Sequence, residues 1–308
     1  MIDNSKNKIA TIRQFNRYYT NVLGLLDKHI LESELSLSEA RVLHEIAATD
    51  GCTSKMLIDM LCIDSGYLSR VLDRLEKCGF INKAKSPSDK RAHLLSLTSK
   101  GFNKMAALNG HSDKQIQEMI SGLSEEETSV LANSMLNIRN TLTHQRPRPE
   151  DVTIRHDLRP GDAGCIIAMH ARIYRAEYDY CTSFEGYVAQ SFCEFLLNYN
   201  PERDRLWVAE HLGAPVGCIG VVNHGSRAQL RWFLLSSEYR GIGLGKKLMN
   251  MALDFCRQCG YDSVFLDTTS DLPLAISMYT KAGFVKISEK DNNVWREGVT
   301  ELEFELKL

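Results

Sequence analysis

The sequence predicts two domains, a mainly helical one at residues 1–143 followed by an α/β one at residues 152–308 with a mixed, mostly antiparallel sheet. Three observations carry this reading. Apolar residues recur at helical spacing through the first half, broken by one short stretch with strand character. His144–Asp151 then carries two prolines among alternating charges and cannot continue a helix, so residues 144–151 read as a linker. Beyond it, apolar strands alternate with helices around a glycine-rich turn. A chain of 308 residues with 44% hydrophobic content can bury the two cores this requires.

In the first half, Ile9, Ile12, Phe15, Tyr19, Val22, Leu23, Leu26 and Ile30 predict a long opening helix to Leu31. Ser36 and Glu39 form a capping-box pattern that starts a second helix, which Gly51 ends. Thr53 caps a short helix through Met56, Leu57, Met60 and Leu61, and Asp64 caps another through Leu68, Val71, Leu72 and Leu75. Two short helices joined this tightly read as a helix-turn-helix. The second presents Ser65, Gly66, Tyr67, Ser69, Arg70 and Arg74 away from its apolar stripe, a face that suits the major groove of double-stranded DNA. Asn82–Lys85 and Ala92–Leu97 read as short strands around Ser86–Arg91, a basic hairpin whose tip bears Lys90 and Arg91 and suits a minor groove. Thr98 starts a further helix past Met105 and Leu108, and Ser124 with Glu127 caps the next, through Val130, Leu131, Met135 and Ile138.

With Asp89-x-Arg91 in the hairpin and Leu97-Thr98-x-x-Gly101 after it, residues 9–142 resemble the MarR family of winged helix-turn-helix regulators. The resemblance implies a DNA-binding homodimer, joined through the opening helix and the two helices that follow the wing.

In the second half, Val152–Arg155 reads as a strand, Arg159–Asp162 leads into a helix through Ile166, Met169, His170 and Ile173, and Leu206–Glu210 pairs with Pro215–Val222. Gln229–Leu235 pairs next, and Leu302, Phe304, Leu306 and Leu308 alternate as a last strand. Between them, Gly241, Gly243 and Gly245 open a helix, so the backbone can approach a ligand closely and aim free N–H groups at an anion. Arg240-x-x-Gly243-x-Gly245 and the later Ala275-x-x-x-Tyr279-x-x-x-Gly283-Phe284 resemble the two acetyl-CoA motifs of the GNAT acetyltransferases.

That resemblance implies that a backbone N–H near Phe233 or Leu234 holds the thioester carbonyl, with Leu235 beside them at the cofactor. Arg240 and the run Gly241, Ile242, Gly243, Leu244, Gly245 and Lys246 would hold the pyrophosphate, and Tyr279 would protonate the departing sulfur. The family often has an Asn where Leu272 stands, and Ser270 or Asp271 is placed to substitute. The aromatic, acidic segment Tyr174–Glu185 falls where the family caps its acceptor site. Glu177, beside Tyr174, Tyr178 and Tyr180, is the first candidate for general base, with Glu185, Glu210 and Asp267 as alternatives. So many carboxylates favour a cationic amine acceptor.

The net charge of −2 divides into an excess of three positive charges over residues 1–149 and of five negative charges over residues 150–308, which puts the nucleic-acid contact in the first half. Nine cysteines scattered through apolar segments read as unpaired thiols, and Cys256-x-x-Cys259 stands without the partners a metal or redox site needs. No segment has the length of a membrane span or the form of a signal peptide, so a cytoplasmic protein with no membrane partner is expected. Three functions follow: a regulator that also transfers acetyl from acetyl-CoA to an amine; a DNA-binding sensor that binds acetyl-CoA or a small amine without turnover; or an enzyme whose winged domain only dimerises.

Overall fold

The computed structural model describes residues 2–24, 33–85 and 93–308. Leu26, Ile30 and Leu31 of the predicted opening helix, and the wing tip with Asp89, Lys90 and Arg91, lie outside the described residues. The chain divides into two compact units, residues 1–123 and 124–308.

The first unit is built on helices. Helix α1 (Ile2–Val22) ends where Gly24 turns into the left-handed region at φ 62°. Helices α2 (Leu37–Ala48), α3 (Ser54–Leu61) and α4 (Ser65–Lys77) each begin on the cap read from the sequence. Ser36 and Glu39 form the reciprocal capping box, Thr53 Oγ1 accepts from Met56 N, and Asp64 Oδ1 accepts from Tyr67 N. Cys62, left-handed at φ 51°, reverses the chain between α3 and α4. Val42, Leu43, Leu57, Leu68, Leu72 and Leu75 close the core of this helix-turn-helix. Strands β1 (Ile81–Lys85) and β2 (His93–Leu97) pair antiparallel, which forms the stem of the wing. Helix α5 (Ser99–Ile120) follows, and Gly101 within it lies so close to the Phe80 carbonyl that no Cβ fits.

The second unit opens with α6 (Glu125–Thr143), followed by β3 (Thr153–Arg155), α7 (Asp162–Tyr178) and α8 (Thr182–Asn198). Next come β4 (Arg205–His211), β5 (Ala214–His224), β6 (Arg227–Leu235), α9 (Leu244–Gln258) and β7 (Ser263–Thr269). The chain ends with α10 (Pro273–Lys281), β8 (Val285–Asn292) and β9 (Val299–Lys307). One seven-stranded sheet runs β3-β4-β5-β6-β7-β9-β8, antiparallel throughout except for β6 with β7. The aromatic residues of α7 and α8 cover one face with Leu206, Val208, Cys218 and Trp232, while Leu248, Met249, Ala252 and Leu253 of α9 pack on the other. The architecture is the predicted one: a mainly helical winged helix-turn-helix followed by an α/β unit with a mixed, mostly antiparallel sheet.

Two irregularities open this sheet. Strands β6 and β7 pair with each other only at Arg227–Gln229 with Ser263–Phe265, and then part, β6 running on to Leu235 beside β5 and β7 to Thr269 beside β9. On its other edge β6 bulges: Gly220 faces Arg231 and Cys218 faces Leu234, so Trp232 and Phe233 together oppose Ile219. Trp232 adopts φ 51°, which for a residue with a Cβ costs about 1–2 kcal/mol. Its ring offsets that by stacking on Phe192 at 3.9 Å and donating from Nε1 to Ser191 Oγ at 3.0 Å. Gly220 is required beneath it, since a Cβ there would lie 2.6 Å from Trp232 Cε3. Among the described residues no helix is long and apolar enough to cross a membrane.

Candidate active site and nucleic-acid interface

Where β6 and β7 part, two adjoining cavities form, sharing Tyr174, Phe233, Leu272, Ala275 and Tyr279 in their walls. The larger, about 380 Å³, is lined on its outer side by Leu234, Leu235, Arg240, Gly241, Gly243, Gly245 and Lys246. Its floor is the start of α9. Gly243 occupies the N-cap at φ 86° without any side-chain cap, and Gly241 has φ 80°. Ser36, Thr53, Asp64 and Thr98 each accept an N–H at a helix start in the first unit, whereas α9 has no side-chain cap and Gly243, Gly245 and Lys246 at its start line the cavity. A Cβ at Gly241 or Gly243 would meet nothing within 4 Å, so the backbone there faces open space. The geometry fits a diphosphate on backbone donors.

Of the residues predicted for this site, Phe233, Leu234, Leu235, Arg240, Gly241, Gly243, Gly245 and Lys246 line the cavity. Leu244 is buried in the core and Ile242 packs against it, so these two offer only backbone. Ser270 does not reach it. Its N–H donates to the Thr300 carbonyl and its hydroxyl accepts from Thr300 N, on the β9 side. Asp271 is engaged by Arg296 at 2.9 Å and by the Tyr180 hydroxyl at 3.1 Å, and it lines neither cavity, whereas Leu272 is in the wall of both.

Tyr279 stands at the junction, buried on α10 between Phe233, Phe284 and Phe304, and its hydroxyl makes no hydrogen bond among the described residues. Burial raises its pKa, so the hydroxyl keeps its proton. Glu177 is elsewhere. Its carboxylate forms a two-pronged pair with Arg240, at 2.7 and 2.9 Å, while Arg240 Nε donates to the Leu235 carbonyl at 2.9 Å. Glu177 lines neither cavity; it ties the end of α7 to the glycine turn. Glu210 is likewise engaged, by Arg155 at 2.8 Å, and Glu185 is exposed on α8.

The smaller cavity, about 120 Å³, lies beyond Tyr279 and holds polar groups that the sequence did not single out as a set. Asp267 Oδ2 accepts from Gln229 Nε2 at 2.8 Å, and desolvation together with the neighbouring Glu303 raises its pKa. Arg231 donates to the Tyr187 hydroxyl at 2.9 Å and to Gln229 Oε1 at 3.4 Å. His170 is buried, its pKa pushed down to about 4, and its Nδ1 donates to the Ile166 carbonyl at 2.9 Å. A period-two reading of β6 would have found Gln229 and Arg231, two polar side chains alternating with buried apolar ones in a strand that leads to Phe233.

In the first unit, Ser65, Ser69 and Arg70 are exposed on α4, and the Arg70 guanidinium lies 6.0 Å from the Tyr67 ring. Tyr67 is half-buried against the core. Exposed Arg74 reaches across to α2, pairing with buried Glu39 at 3.1 Å and donating to the Glu34 carbonyl at 3.4 Å. Its side chain stays more than half exposed despite these contacts. Among the described residues no group of three or more His, Cys, Asp or Glu side chains could hold a metal ion, and all nine cysteines are free.

Known proteins match the two units separately. The acetyltransferase (GNAT) family profile matches residues 167–284, and an uncharacterized N-acetyltransferase of Escherichia coli (strain K12), YjgM, is 32% identical over 127 residues, covering 39% of this chain and 75% of that protein. The chain belongs to the GNAT acetyltransferases. The MarR family profile matches residues 35–93 of the same chain. The HTH-type transcriptional regulator MhqR of Bacillus subtilis (strain 168) is 27% identical over 123 residues, 40% of this chain and 85% of that protein. The protein is therefore a MarR-type regulator domain fused to a GNAT domain. Human N-acetyltransferase 8B is 34% identical over 95 residues, and this GNAT chain spans only 42% of its length and 29% of its own.

Proposed function

We propose that this fusion binds double-stranded DNA through its first unit and transfers acetyl from acetyl-CoA to an amine in its second. The observation that carries the transferase reading is the position of Tyr279. It sits with a free, protonated hydroxyl between a cavity floored by uncapped helix N–H groups and a second cavity holding a carboxylate with a raised pKa.

Acetyl-CoA, when bound, supplies the activated acyl group. The α9 N-terminus would hold its diphosphate, and the bulged backbone at Phe233, where β6 leaves β7, would offer an N–H to the thioester carbonyl as charge gathers there. Asp267 is the better placed base. It would take the proton from the acceptor ammonium, directly or through water, leaving a nitrogen lone pair free to form the C–N bond. Tyr279 Oη holds the proton for the departing sulfur as the C–S bond breaks. Glu177, first choice from the sequence, is better read as a positioning residue that fixes Arg240 and the glycine turn.

For the first unit, exposed Arg70 and Ser65 at the start of α4 and the paired stem of the wing support DNA binding. Exposed Ile9, Ile12 and Phe15 on α1 and Ile116 on α5 support a homodimer, since these apolar side chains find no cover among the described residues. Nine free thiols support a reducing, cytoplasmic setting.

Product analysis tests the reading. The full-length chain incubated with acetyl-CoA and a panel of primary amines is expected to yield acetylated amine and free coenzyme A in equal amounts. Leu272, an apolar side chain where the family often carries Asn, favours a second reading as a sensor. Tight acetyl-CoA binding that alters DNA affinity, with no acetylated product from any amine, would replace the first reading with that one.

A further inference from the structure

The charges in the smaller cavity define the acceptor. Arg231 makes no ion pair among the described residues, although its guanidinium lies in the cavity wall. Two of its N–H groups are used, by Tyr187 and Gln229, and the remainder are without a carboxylate. Asp267, in the same wall, also makes no ion pair among the described residues. The amide of Gln229 stands between them, its Oε1 toward Arg231 and its Nε2 on Asp267, and so keeps the two charges from closing on each other. The other carboxylate of the cavity, Glu301, is already neutralised by Lys290 at 2.6 Å and bound by Asn292 at 2.8 Å.

Half-buried Arg231, its guanidinium over the Tyr187 and Trp232 rings, and Asp267, held apart from it, can each take an opposite charge from a ligand in the cavity. A simple monoamine would leave Arg231 unanswered. A diamine would set its second ammonium against Arg231. An interior lysine of a protein chain brings no carboxylate near its amine, and the volume of about 120 Å³ admits only a small body. Resting on the transferase reading, we propose that the acceptor is a small amino acid with a free carboxylate, seated with that carboxylate on Arg231 and its amine between Asp267 and Tyr279. The aromatic wall of Phe184, Tyr187 and Trp295 then faces its side chain.

Steady-state coenzyme A release by the full-length chain, measured with several free L-amino acids, their primary amides and 1,4-diaminobutane, tests this. The free acids are expected to exceed their amides in kcat/KM by about tenfold or more, the scale of one charge-assisted hydrogen bond, mostly through KM. Arg231→Gln should bring the ratio of acid to amide close to one, and Arg231→Lys should restore part of it. Amides or the diamine turned over as well as the acids, or an unchanged ratio in Arg231→Gln, would overturn the proposal. If no amine releases coenzyme A, the transferase reading fails by itself. Equilibrium dialysis of a labelled amino acid in the presence of coenzyme A then decides the class: binding that Arg231→Gln abolishes upholds it, and no binding refutes it.

Discussion

At the scale of single residues, two acids that the sequence left as alternatives part company through their neighbours. Glu177 spends both oxygens on Arg240, whereas Asp267 opens into a cavity and has one oxygen on an amide. The pKa of Asp267 is raised by desolvation and by Glu303, so its base form is gained only as pH climbs past a value above that of an ordinary aspartate. In a pH profile of kcat/KM, activity should therefore fall as pH drops through that raised value. Asp267→Asn should lower the rate and remove this acidic limb; a variant that keeps the limb would return the base to another group. Tyr279 was legible because two motif residues, Ala275 and Gly283, frame it. Arg231 and Gln229 were not, because a charged side chain in a strand signals a solvent face until the neighbouring strand is known to veer away. Arg74 pairs with Glu39 of another helix, a contact that no reading of α4 alone contains.

At the scale of elements, caps and glycines were readable and bulges were not. Ser36, Thr53, Asp64, Thr98 and Ser124 start the helices that the sequence assigns to them, because an N-cap is a local hydrogen bond. The bulge in β6 depends on register with β5, which no single strand encodes. Gly220→Ala tests its importance. The added methyl would press on Trp232, overpacking of a kind that costs roughly 1–3 kcal/mol, and would move the strand that presents Phe233. Lower stability in urea and a reduced kcat together are expected; a variant as active and stable as the parent would show that the bulge is dispensable. On α4, Arg70→Ala should weaken DNA binding and reduce the slope of log affinity against log salt by about one, with the melting temperature unchanged. An unaltered slope would remove Arg70 from the interface.

At the scale of the whole molecule, the division into a MarR-type and a GNAT-type domain was the most legible feature, because each half carries its own pattern of caps, glycines and strand runs. The boundary was less so. The sequence places α6 before a proline-bearing linker, whereas the compact units divide at residues 123 and 124 and group α6 with the second. The helix is amphipathic but buries none of its residues in one chain, so periodicity alone could not say what it packs on. The central claim concerns the junction of the two cavities, where Tyr279 holds a proton for the departing thiolate. Its most direct test is the turnover of the full-length chain carrying Tyr279→Phe at saturating acetyl-CoA. Loss of a general acid is predicted to lower kcat by roughly 10²–10⁴-fold, with acetyl-CoA affinity by calorimetry close to that of the parent. Parental turnover in the variant would contradict the account.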